Sequence, residues 1–457
     1  MTARPDYADK SFWLETAGSY EERPSLTTAI QADVTIVGGG FTGLSTAYHV
    51  KRAQPGLRVV LLESHVIGYG ASGRNAGFAM TLFGLTLGVT RSLFGREKAA
   101  DAHRYMERAV DYVGELVERH DLDCSYERPG FLRVATTEGY ARRIQEEIEL
   151  AHRLGLEGMT WLSAGEVAEQ VCSPLYLGAW WEPRCALVNP ARLARELRRV
   201  CLELGVEIYE RTPVIEVERG QSITARAPRG RVRTERLVLA TNAWSHLIPQ
   251  IRRKQVPAWT YVVLTEPLEP RHFDAIGWRN RQGVEDARNL VHYYRLTPDN
   301  RLLMGGGDVA VSYGADMDRD THYATWRHLA GHIAQVFPPL KGVRITHRWG
   351  GPVSVPVDMA PAIGTVGDER VIYSAGCMGH GVSLTHLNGL TIAQMLRGEQ
   401  TELTGVFFVN RRTIPWPSEP LRWVASAAIR GYLRLEDRLY ERGMPPATHA
   451  LRIEPDV

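Results

Sequence analysis

Three glycines near the amino terminus have the spacing of a phosphate-binding turn. Gly38, Gly40 and Gly43 follow the apolar, β-branched run at 34–37 and open a stretch with apolar residues at helical spacing. In such a strand–turn–helix unit the first glycine allows the tight turn, the second admits a pyrophosphate, and the third lets the helix pack closely on the strand. The free amides and positive dipole end of the helix then favour phosphate. The pattern predicts a dinucleotide site.

An acidic residue completes this pattern at the end of the next strand. The apolar run at 59–62 predicts a second parallel strand, and Glu63 follows that run, about 20 residues after Gly43. A carboxylate in this place accepts hydrogen bonds from a ribose and repels a 2′-phosphate, which disfavours NADP. We therefore expect one βαβ unit between Asp33 and Glu63.

A second glycine-rich loop, GYGASGRNAGF at 68–78, comes directly after this unit. A nicotinamide dehydrogenase would normally continue into another helix at this point. The small residues and Arg74 instead predict backbone that runs close to a second section of the same cofactor. This favours a flavin dinucleotide.

Two further segments extend the pattern over most of the chain: LVLATNAWS at 237–245 and YSAGCMGHGVSLTHLNG at 373–389. Together with VTIVGGGFTGLSTAYHV at 34–50 and the second glycine loop, they resemble the D-amino-acid-oxidase-like superfamily of FAD oxidoreductases. Within that superfamily the pattern is most similar to the glycine and sarcosine oxidase group, and especially to γ-glutamylputrescine oxidases. The resemblance implies an α/β fold. It has a Rossmann-type, glutathione-reductase-like FAD-binding domain and a second, mostly antiparallel-sheet substrate domain.

The resemblance also implies which residues hold FAD. The first turn and the acid would bind the ADP half, and the second glycine loop would follow the pyrophosphate and the flavin. Amides at a helix start in 373–389 would reach the flavin's pyrimidine edge, with Met378 standing where a serine is common. The implied residues are Gly38, Gly40, Phe41, Thr42, Gly43, Glu63, Ser64, Gly70, Ala71, Ser72, Arg74, Asn75, Ala76, Val214, Thr241, Asn242, Gly351, Gly376, Met378, Gly379, His380, Gly381 and Val382.

The implied reaction passes a hydride from the Cα–H of an amine to flavin N5, and the resulting imine hydrolyses. Reoxidation is expected from O2 or from another acceptor, an oxidase being favoured over a dehydrogenase. Aromatic side chains suit such a site because they attract a cationic amine. The catalytic candidates are Trp349, His380, Tyr261 and Tyr294, and Tyr293 and Met359 are further lining candidates. The alternative for each is core packing, or a structural histidine for His380.

Three positions depart from the sarcosine-oxidising members of the family. Gly351 stands where some of them carry a flavin-linked cysteine, which predicts noncovalent FAD. Phe78 and Ser383 stand where those members hold a substrate carboxylate with basic residues. This predicts a substrate that lacks an α-carboxylate or is held by a different group. Leu303 lies near the position of the lysine that promotes reaction with oxygen in sarcosine oxidase. A dehydrogenase that uses another electron acceptor is therefore an alternative to an oxidase.

Two other functions share parts of this pattern. A flavin monooxygenase or halogenase has the same amino-terminal fingerprint, but it would need a later glycine–aspartate segment that GVEDAR and IGTVGD match poorly. A noncatalytic flavoprotein subunit that transfers electrons is the alternative from a different class. An amine or amino-acid oxidoreductase is the favoured reading.

The composition of the chain argues against several other classes of protein. The 457 residues are 44% hydrophobic and 23% charged, with a net charge of +2, which argues against a disordered chain and against a nucleic-acid partner. The five cysteines are scattered without a C-x-x-C pair, so we expect no metal site and no disulfide framework. The first residues lack the apolar stretch of a secretory signal, and no apolar run reaches the length of a membrane span, so we expect neither a signal peptide nor a transmembrane segment. We expect a cytoplasmic monomer or homodimer.

The FAD-binding domain is predicted to be discontinuous. Residues 27–95, 190–245 and 345–405 would form it, and residues 96–189 and 246–344 would form the substrate domain. The second of these groups contains alternating apolar and polar runs typical of antiparallel strands.

Residues 406–457 would form a helical tail. Leu421, Val424, Ala428, Tyr432 and Leu435 fall on one stripe at helical spacing. We expect this stripe to pack on the rest of the protein. A helix that lies on a membrane surface or binds a partner is the alternative.

Overall fold

The computed structural model describes residues 6–84, 86–314, 316–446 and 449–454. The strands are β1 (Ala29–Val37), β2 (Val59–Leu62), β3 (Phe78–Ala79), β4 (Phe131–Ala135), β5 (Thr160–Ser163), β6 (Gly178–Glu182), β7 (Ala186–Leu187), β8 (Glu207–Tyr209), β9 (Glu216–Glu218), β10 (Ile223–Arg226), β11 (Arg231–Leu239), β12 (Val256–Pro267), β13 (Gly283–Asp286), β14 (His292–Leu296), β15 (Arg301–Gly306), β16 (Ala310–Val311), β17 (Arg344–Val355), β18 (Ala362–Thr365), β19 (Val371–Ala375) and β20 (Arg452–Ile453). The helices are α1 (Phe12–Thr16), α2 (Phe41–Ala53), α3 (Leu87–Phe94), α4 (Arg96–His120), α5 (Glu138–Arg153), α6 (Ala164–Gln170), α7 (Pro190–Glu203), α8 (Pro270–Ile276), α9 (Tyr323–Val336), α10 (Gly381–Leu396) and α11 (Leu421–Tyr440).

The first sheet contains the predicted βαβ unit. Its parallel centre runs in the order β19-β11-β1-β2-β8, and β18 pairs antiparallel with β19 at the edge. All four residues of β2 are buried, as expected of a strand covered on both faces. Helices α2, α7 and α10 supply apolar residues to the core on one side. The carboxyl ends of β1 and β2 therefore open on the same edge, where α2 begins.

The second sheet is mostly antiparallel, as predicted, and runs in the order β20-β17-β12-β15-β14-β13-β4-β6-β5. Two of its pairings, β13 with β4 and β17 with β20, are parallel. One face packs against α9 and a cluster of buried aromatic and aliphatic residues. The other face looks toward the first sheet.

Strand β17 belongs to this second sheet, although its sequence position groups it with the FAD-binding segments. It pairs antiparallel with β12 from Val256 opposite Val355 to Thr265 opposite Ile345. Strand partners are set by long-range pairing, which the position of a strand in the sequence does not reveal. The tail also contributes a strand, because β20 pairs with the start of β17.

Helix α11 presents its apolar stripe to solvent, so the expectation that this stripe packs on the protein is wrong. Leu421, Val424, Tyr432 and Leu435 are between 53% and 64% exposed. The opposite, polar face is the one that contacts the protein, and Asp437 on that face is buried. Among the helices described, none is both long and apolar enough to cross a membrane.

Candidate active site

A cavity of about 630 Å³ lies between the carboxyl edge of the first sheet and the inner face of the second. The first glycine turn, the second glycine loop and residues 240–242 line one part of it. The turn before α10 and strands of the second sheet line the rest. Segments from several parts of the sequence therefore meet around one space.

The first glycine turn has the close contacts that its spacing predicts. Gly38 has a φ of +111°, and a Cβ on Gly43 would lie 1.9 Å from the carbonyl oxygen of Gly38. Gly40 caps α2 in extended conformation and lines the cavity with Phe41 and Thr42, whereas Gly43 lies behind the wall. A side chain at Gly43 would therefore push the start of α2 away from the end of β1, and one at Gly38 would collide with the carbonyl of Ala240. The amino end of a 13-residue helix opens on the cavity.

Glu63 lies at the end of β2 and lines the cavity beside this turn. Its carboxylate accepts hydrogen bonds from the backbone amides of Gly39 at 2.6 Å and His65 at 2.8 Å, and from the Ser64 hydroxyl at 3.0 Å. Burial raises the pKa of Glu63 above its usual range, although these hydrogen bonds oppose the shift. The carboxylate is thus held in one orientation at the cavity wall.

The second glycine loop folds over the start of α2. The Ser72 hydroxyl accepts a hydrogen bond of 3.0 Å from the amide of Phe41, and the Asn75 side chain donates to the carbonyl of Ala71 at 2.9 Å. Arg74 points its guanidinium toward the second sheet and pairs with Asp320 at 2.6 Å. From Gly70 to Ala76, all the predicted residues of this loop line the cavity.

The turn before α10 forms another part of the cavity wall. Met378, Gly379, His380, Gly381 and Val382 line it, together with Val214, Thr241, Asn242 and Gly351. Gly376 does not line it. Its amide donates to the Ser354 hydroxyl at 2.9 Å and so anchors the turn to β17.

Tyr261 and Tyr294 do not reach the cavity. Successive side chains of a strand point to opposite faces. Thr260 and Tyr293 line the cavity, so their neighbours Tyr261 and Tyr294 face the core on the other side of the sheet. There the Tyr261 hydroxyl donates to the carbonyl of Arg319 at 3.0 Å, and the hydroxyls of Tyr294 and Tyr176 are 2.6 Å apart. The two tyrosines proposed as catalytic candidates are core residues.

Trp349 and Met359 also lie outside the cavity wall. The Trp349 ring is 3% exposed, and its Nε1 donates to the backbone carbonyl of Arg74. Of the six proposed lining residues, Tyr293 and His380 are the two that line the cavity.

The His380 ring has an unpaired nitrogen in the cavity. Its Nδ1 is buried and has no hydrogen-bond partner in the described part of the chain. Burial, and next the positive charge of Arg133, lower the pKa of His380 to about 4. The ring is therefore neutral near pH 7 and can offer or accept one hydrogen bond to a ligand.

Several polar residues line the cavity that the sequence patterns did not indicate. These residues are Arg133, Arg143, Glu285, Arg288 and Asn289. The available signal was a charged residue inside an otherwise apolar strand, as in FLRVA at 131–135. The register of the sheet, which the sequence does not reveal, decides that Arg133, Glu285, Tyr293 and Gly305 lie opposite one another in successive strands.

A cluster of metal-ligand type lies on the other side of this wall, where no metal site was expected. Potential ligand atoms of Asp286, His292 and His332 lie within 4.8 Å of one another, and all three residues are buried. The Arg288 guanidinium forms an ion pair with the same Asp286 oxygen that accepts from His292. Arg288 therefore already supplies the positive charge that a metal ion would bring.

Comparison with known proteins defines the class to which this site belongs. The family model described as FAD dependent oxidoreductase matches residues 33–395. The chain therefore belongs to this family of FAD-dependent oxidoreductases.

The chain is 33% identical to gamma-glutamylputrescine oxidoreductase of Escherichia coli over 432 residues, which cover 94% of this chain and 98% of that protein. It is 24% identical to glycine oxidase of Bacillus licheniformis, over 83% of this chain and 97% of that one. Among solved structures, glycine oxidase from Geobacillus kaustophilus superposes with a TM-score of 0.72 at 22% identity, covering 84% of this chain and all of that one. The predicted fold class and family are confirmed.

The cavity fits FAD. The amino-terminal ends of two long helices, α2 and α10, open on it, and their free amides suit phosphate and an electron-rich flavin edge. The fixed Glu63 carboxylate lies beside the first of these ends, as a ribose requires. The unpaired His380 nitrogen lies beside the second.

Proposed function

We propose that this protein oxidises a carbon–nitrogen bond of a small amine or amino acid, with noncovalently bound FAD as the cofactor. The observation that carries the proposal is the continuous cavity from the Gly38–Gly43 turn to the inner face of the second sheet. The relatives support it, since their names specify γ-glutamylputrescine and glycine as what those proteins act on.

In this proposal, the wall residues around the first turn hold the ADP half, and the wall residues from Gly379 to Val382 lie at the flavin edge. Bound FAD would supply the hydride acceptor, and the protein positions the amine against it and excludes water. Tyr293 offers an aromatic face on the floor of the cavity, where burial raises the pKa of its hydroxyl to about 12. The ring therefore stays neutral and can pack against a cationic amine.

The substrate is not held by a carboxylate clamp at positions 78 and 383. Phe78 lines the cavity with an apolar ring, and the buried Ser383 hydroxyl donates to the carbonyl of Met80 at 2.9 Å. Charged groups that can recognise a substrate are found instead on β4 and β13 and on α5. This supports a substrate that lacks an α-carboxylate, or one whose carboxylate is held by other groups such as these.

Noncovalent attachment of FAD is supported by the state of Cys377. This cysteine lines the cavity, and its Sγ donates to the Asn242 side chain at 3.2 Å. Burial raises the pKa of the thiol, so the reactive thiolate is disfavoured. After acid precipitation the flavin should remain in the supernatant, and yellow colour in the pellet would contradict this part of the proposal.

We propose oxygen as the electron acceptor. The test is product analysis with amines in air-saturated buffer. One carbonyl product, one released amine or ammonia and one hydrogen peroxide should form per substrate. Carbonyl without peroxide, with turnover restored by an added dye acceptor, would identify a dehydrogenase. Consumption of NADPH with insertion of oxygen would instead identify a monooxygenase.

A further inference from the structure

Glu285 and Arg133 form a buried charged pair in the cavity floor. They are register partners on β13 and β4, both line the cavity, and they are 5% and 4% exposed. Arg133 Nη1 donates to the Glu147 carboxylate at 3.0 Å, whereas its Nε lies 3.6 Å from Glu285 Oε1. The Arg133 guanidinium is therefore hydrogen-bonded to Glu147, whereas its contact with Glu285 is an ion pair without a hydrogen bond.

Two carboxylates, Glu285 and Glu147, share the Arg133 guanidinium. The neighbouring charges have other partners: Asp286 is paired with Arg288 and His292, and the Arg143 guanidinium donates to the Asn289 side chain. In the described chain Glu285 accepts no hydrogen bond, and Glu147 does not line the cavity. A buried carboxylate without a full partner is costly and favours a bound cation. Glu285 is the carboxylate of this cluster that faces the cavity.

The cluster faces the same space as the turn before α10. The charge of Arg133 contributes to the lowered pKa of His380, which starts that helix. Tyr293 is the next residue in the same row of the sheet, opposite Glu285. Both His380 Nδ1 and Arg133 Nε are buried without a hydrogen-bond partner among the described residues. Polar atoms left open in this way indicate a place for a ligand.

We propose that Glu285 binds the ammonium group of the substrate, and that Arg133 positions the Glu285 carboxylate toward it. The inference rests on the proposed amine oxidation and adds the chemical class that the site selects. A cationic amine is accepted, and neutral isosteres such as alcohols are not. The aromatic ring of Tyr293 lies beside the carboxylate and contributes cation–π attraction to the same group.

The test uses the oxidised, FAD-loaded protein and the probe tert-butylammonium, which has no α-hydrogen and cannot be oxidised. Binding is followed by the change in flavin absorbance at about pH 8, where Glu285 is ionised. Glu285→Gln should weaken the binding of tert-butylammonium by at least about tenfold. The matched control is Glu182→Gln on β6. Glu182 is an equally buried glutamate that is hydrogen-bonded to Thr81 and lies outside the main cavity. This control should bind tert-butylammonium with a Kd within about twofold of that of the wild type. Neither variant should bind tert-butyl alcohol more tightly than tert-butylammonium.

Equal binding by wild type and Glu285→Gln, or no binding by the wild type, would overturn the proposal. If Glu285→Gln does not retain flavin, the wild type alone provides the test. Burial raises the pKa of Glu285 to about 7, opposed by Arg133 and assisted by Asp286 and Glu147. The Kd for tert-butylammonium should therefore rise as the pH falls below about 7, and a flat profile would overturn the assignment.

These outcomes separate the subsite from the proposed function. If the probe binds through Glu285 but no amine reduces the flavin, the ammonium subsite stands and amine oxidation fails. If amines reduce wild type and Glu285→Gln with the same KM, amine oxidation stands and the subsite fails.

Discussion

Trp349 Nε1 donates a hydrogen bond of 2.8 Å to the backbone carbonyl of Arg74. The second sheet thereby holds the second glycine loop. Arg295, on β14 of the same sheet, is fully buried and also holds this loop. Its guanidinium donates to the carbonyl of Ala76 in the loop at 3.3 Å and to the carbonyl of Val188 at 2.8 Å. Both side chains shape the cavity without lining it.

Trp349→Phe should weaken FAD binding and leave turnover at saturating FAD close to that of the wild type. The phenyl ring fills most of the space, but the carbonyl of Arg74 loses its donor at a cost of about 1 kcal/mol. The Kd for FAD, measured by flavin fluorescence during reconstitution, should rise several-fold. A large loss of turnover with unchanged FAD affinity would instead indicate that the indole contacts the substrate.

Gly305→Ala should destabilise the protein and disturb the cavity floor. A Cβ at this position would lie 2.4 Å from the ring of Tyr293. We expect a loss of about 1–3 kcal/mol in the free energy of unfolding and a weaker response of the flavin to amines. The control is Gly431→Ala on α11, where a Cβ meets nothing within 4 Å. This control should be neutral or stabilising, and equal destabilisation of both variants would contradict the packing described.

Asp437→Ala should be much more destabilising than Leu435→Gln, although both change helix α11. The Asp437 carboxylate accepts the backbone amides of Asn289 at 2.8 Å and Leu290 at 3.0 Å, and Asn289 lines the cavity. Losing this acceptor should cost about 2–3 kcal/mol in the free energy of unfolding. Leu435 is 56% exposed, so its replacement should change that energy by less than about 0.5 kcal/mol. Urea unfolding gives both values, and the reverse order would mean that the helix is turned the other way.

The stability of Glu182→Gln relative to wild type should depend on pH. Burial raises the pKa of Glu182 to about 7, above the value of about 4.3 in an unfolded chain. At a pH between these two pKa values, Glu182 is protonated in the native state and ionised in the unfolded chain. The stability from this group is therefore present at low pH and is lost as the pH rises through 7.

Glutamine keeps a neutral side chain at every pH. The free energy of unfolding of Glu182→Gln, relative to that of the wild type, should therefore rise by on the order of 2 kcal/mol from about pH 5 to about pH 8. The check is urea unfolding of both proteins at the two pH values. A difference that stays constant would show that Glu182 is ionised in the native state throughout.

The local parts of this fold could be predicted from the sequence. The strand, glycine turn, helix and Glu63 lie within one short stretch, and each residue type has a steric or electrostatic reason that depends on its neighbours. Strand β2 was predicted with its observed bounds. The expectations for the glycine turns needed no long-range information.

The cavity floor depends on long-range pairing and could not be predicted in the same way. Tyr293 and Tyr294 are equally aromatic neighbours, and the sheet register alone decides that Tyr293 lines the cavity. The same pairing explains the glycine at 305, which leaves room for the Tyr293 ring. For α11 the periodicity revealed a stripe, but hydrogen bonds from Asn289 and Leu290 to Asp437 decide which face is covered.

Anaerobic reduction of the flavin tests the central claim most directly. The purified yellow protein is mixed without oxygen with a panel of monoamines, diamines and amino acids, and with NADPH, while the flavin absorbance is followed. At least one cationic amine should bleach the flavin, with one carbonyl product formed per flavin reduced, and NADPH should not. Bleaching by NADPH with no response to any amine would contradict the assignment of this protein as an amine oxidoreductase.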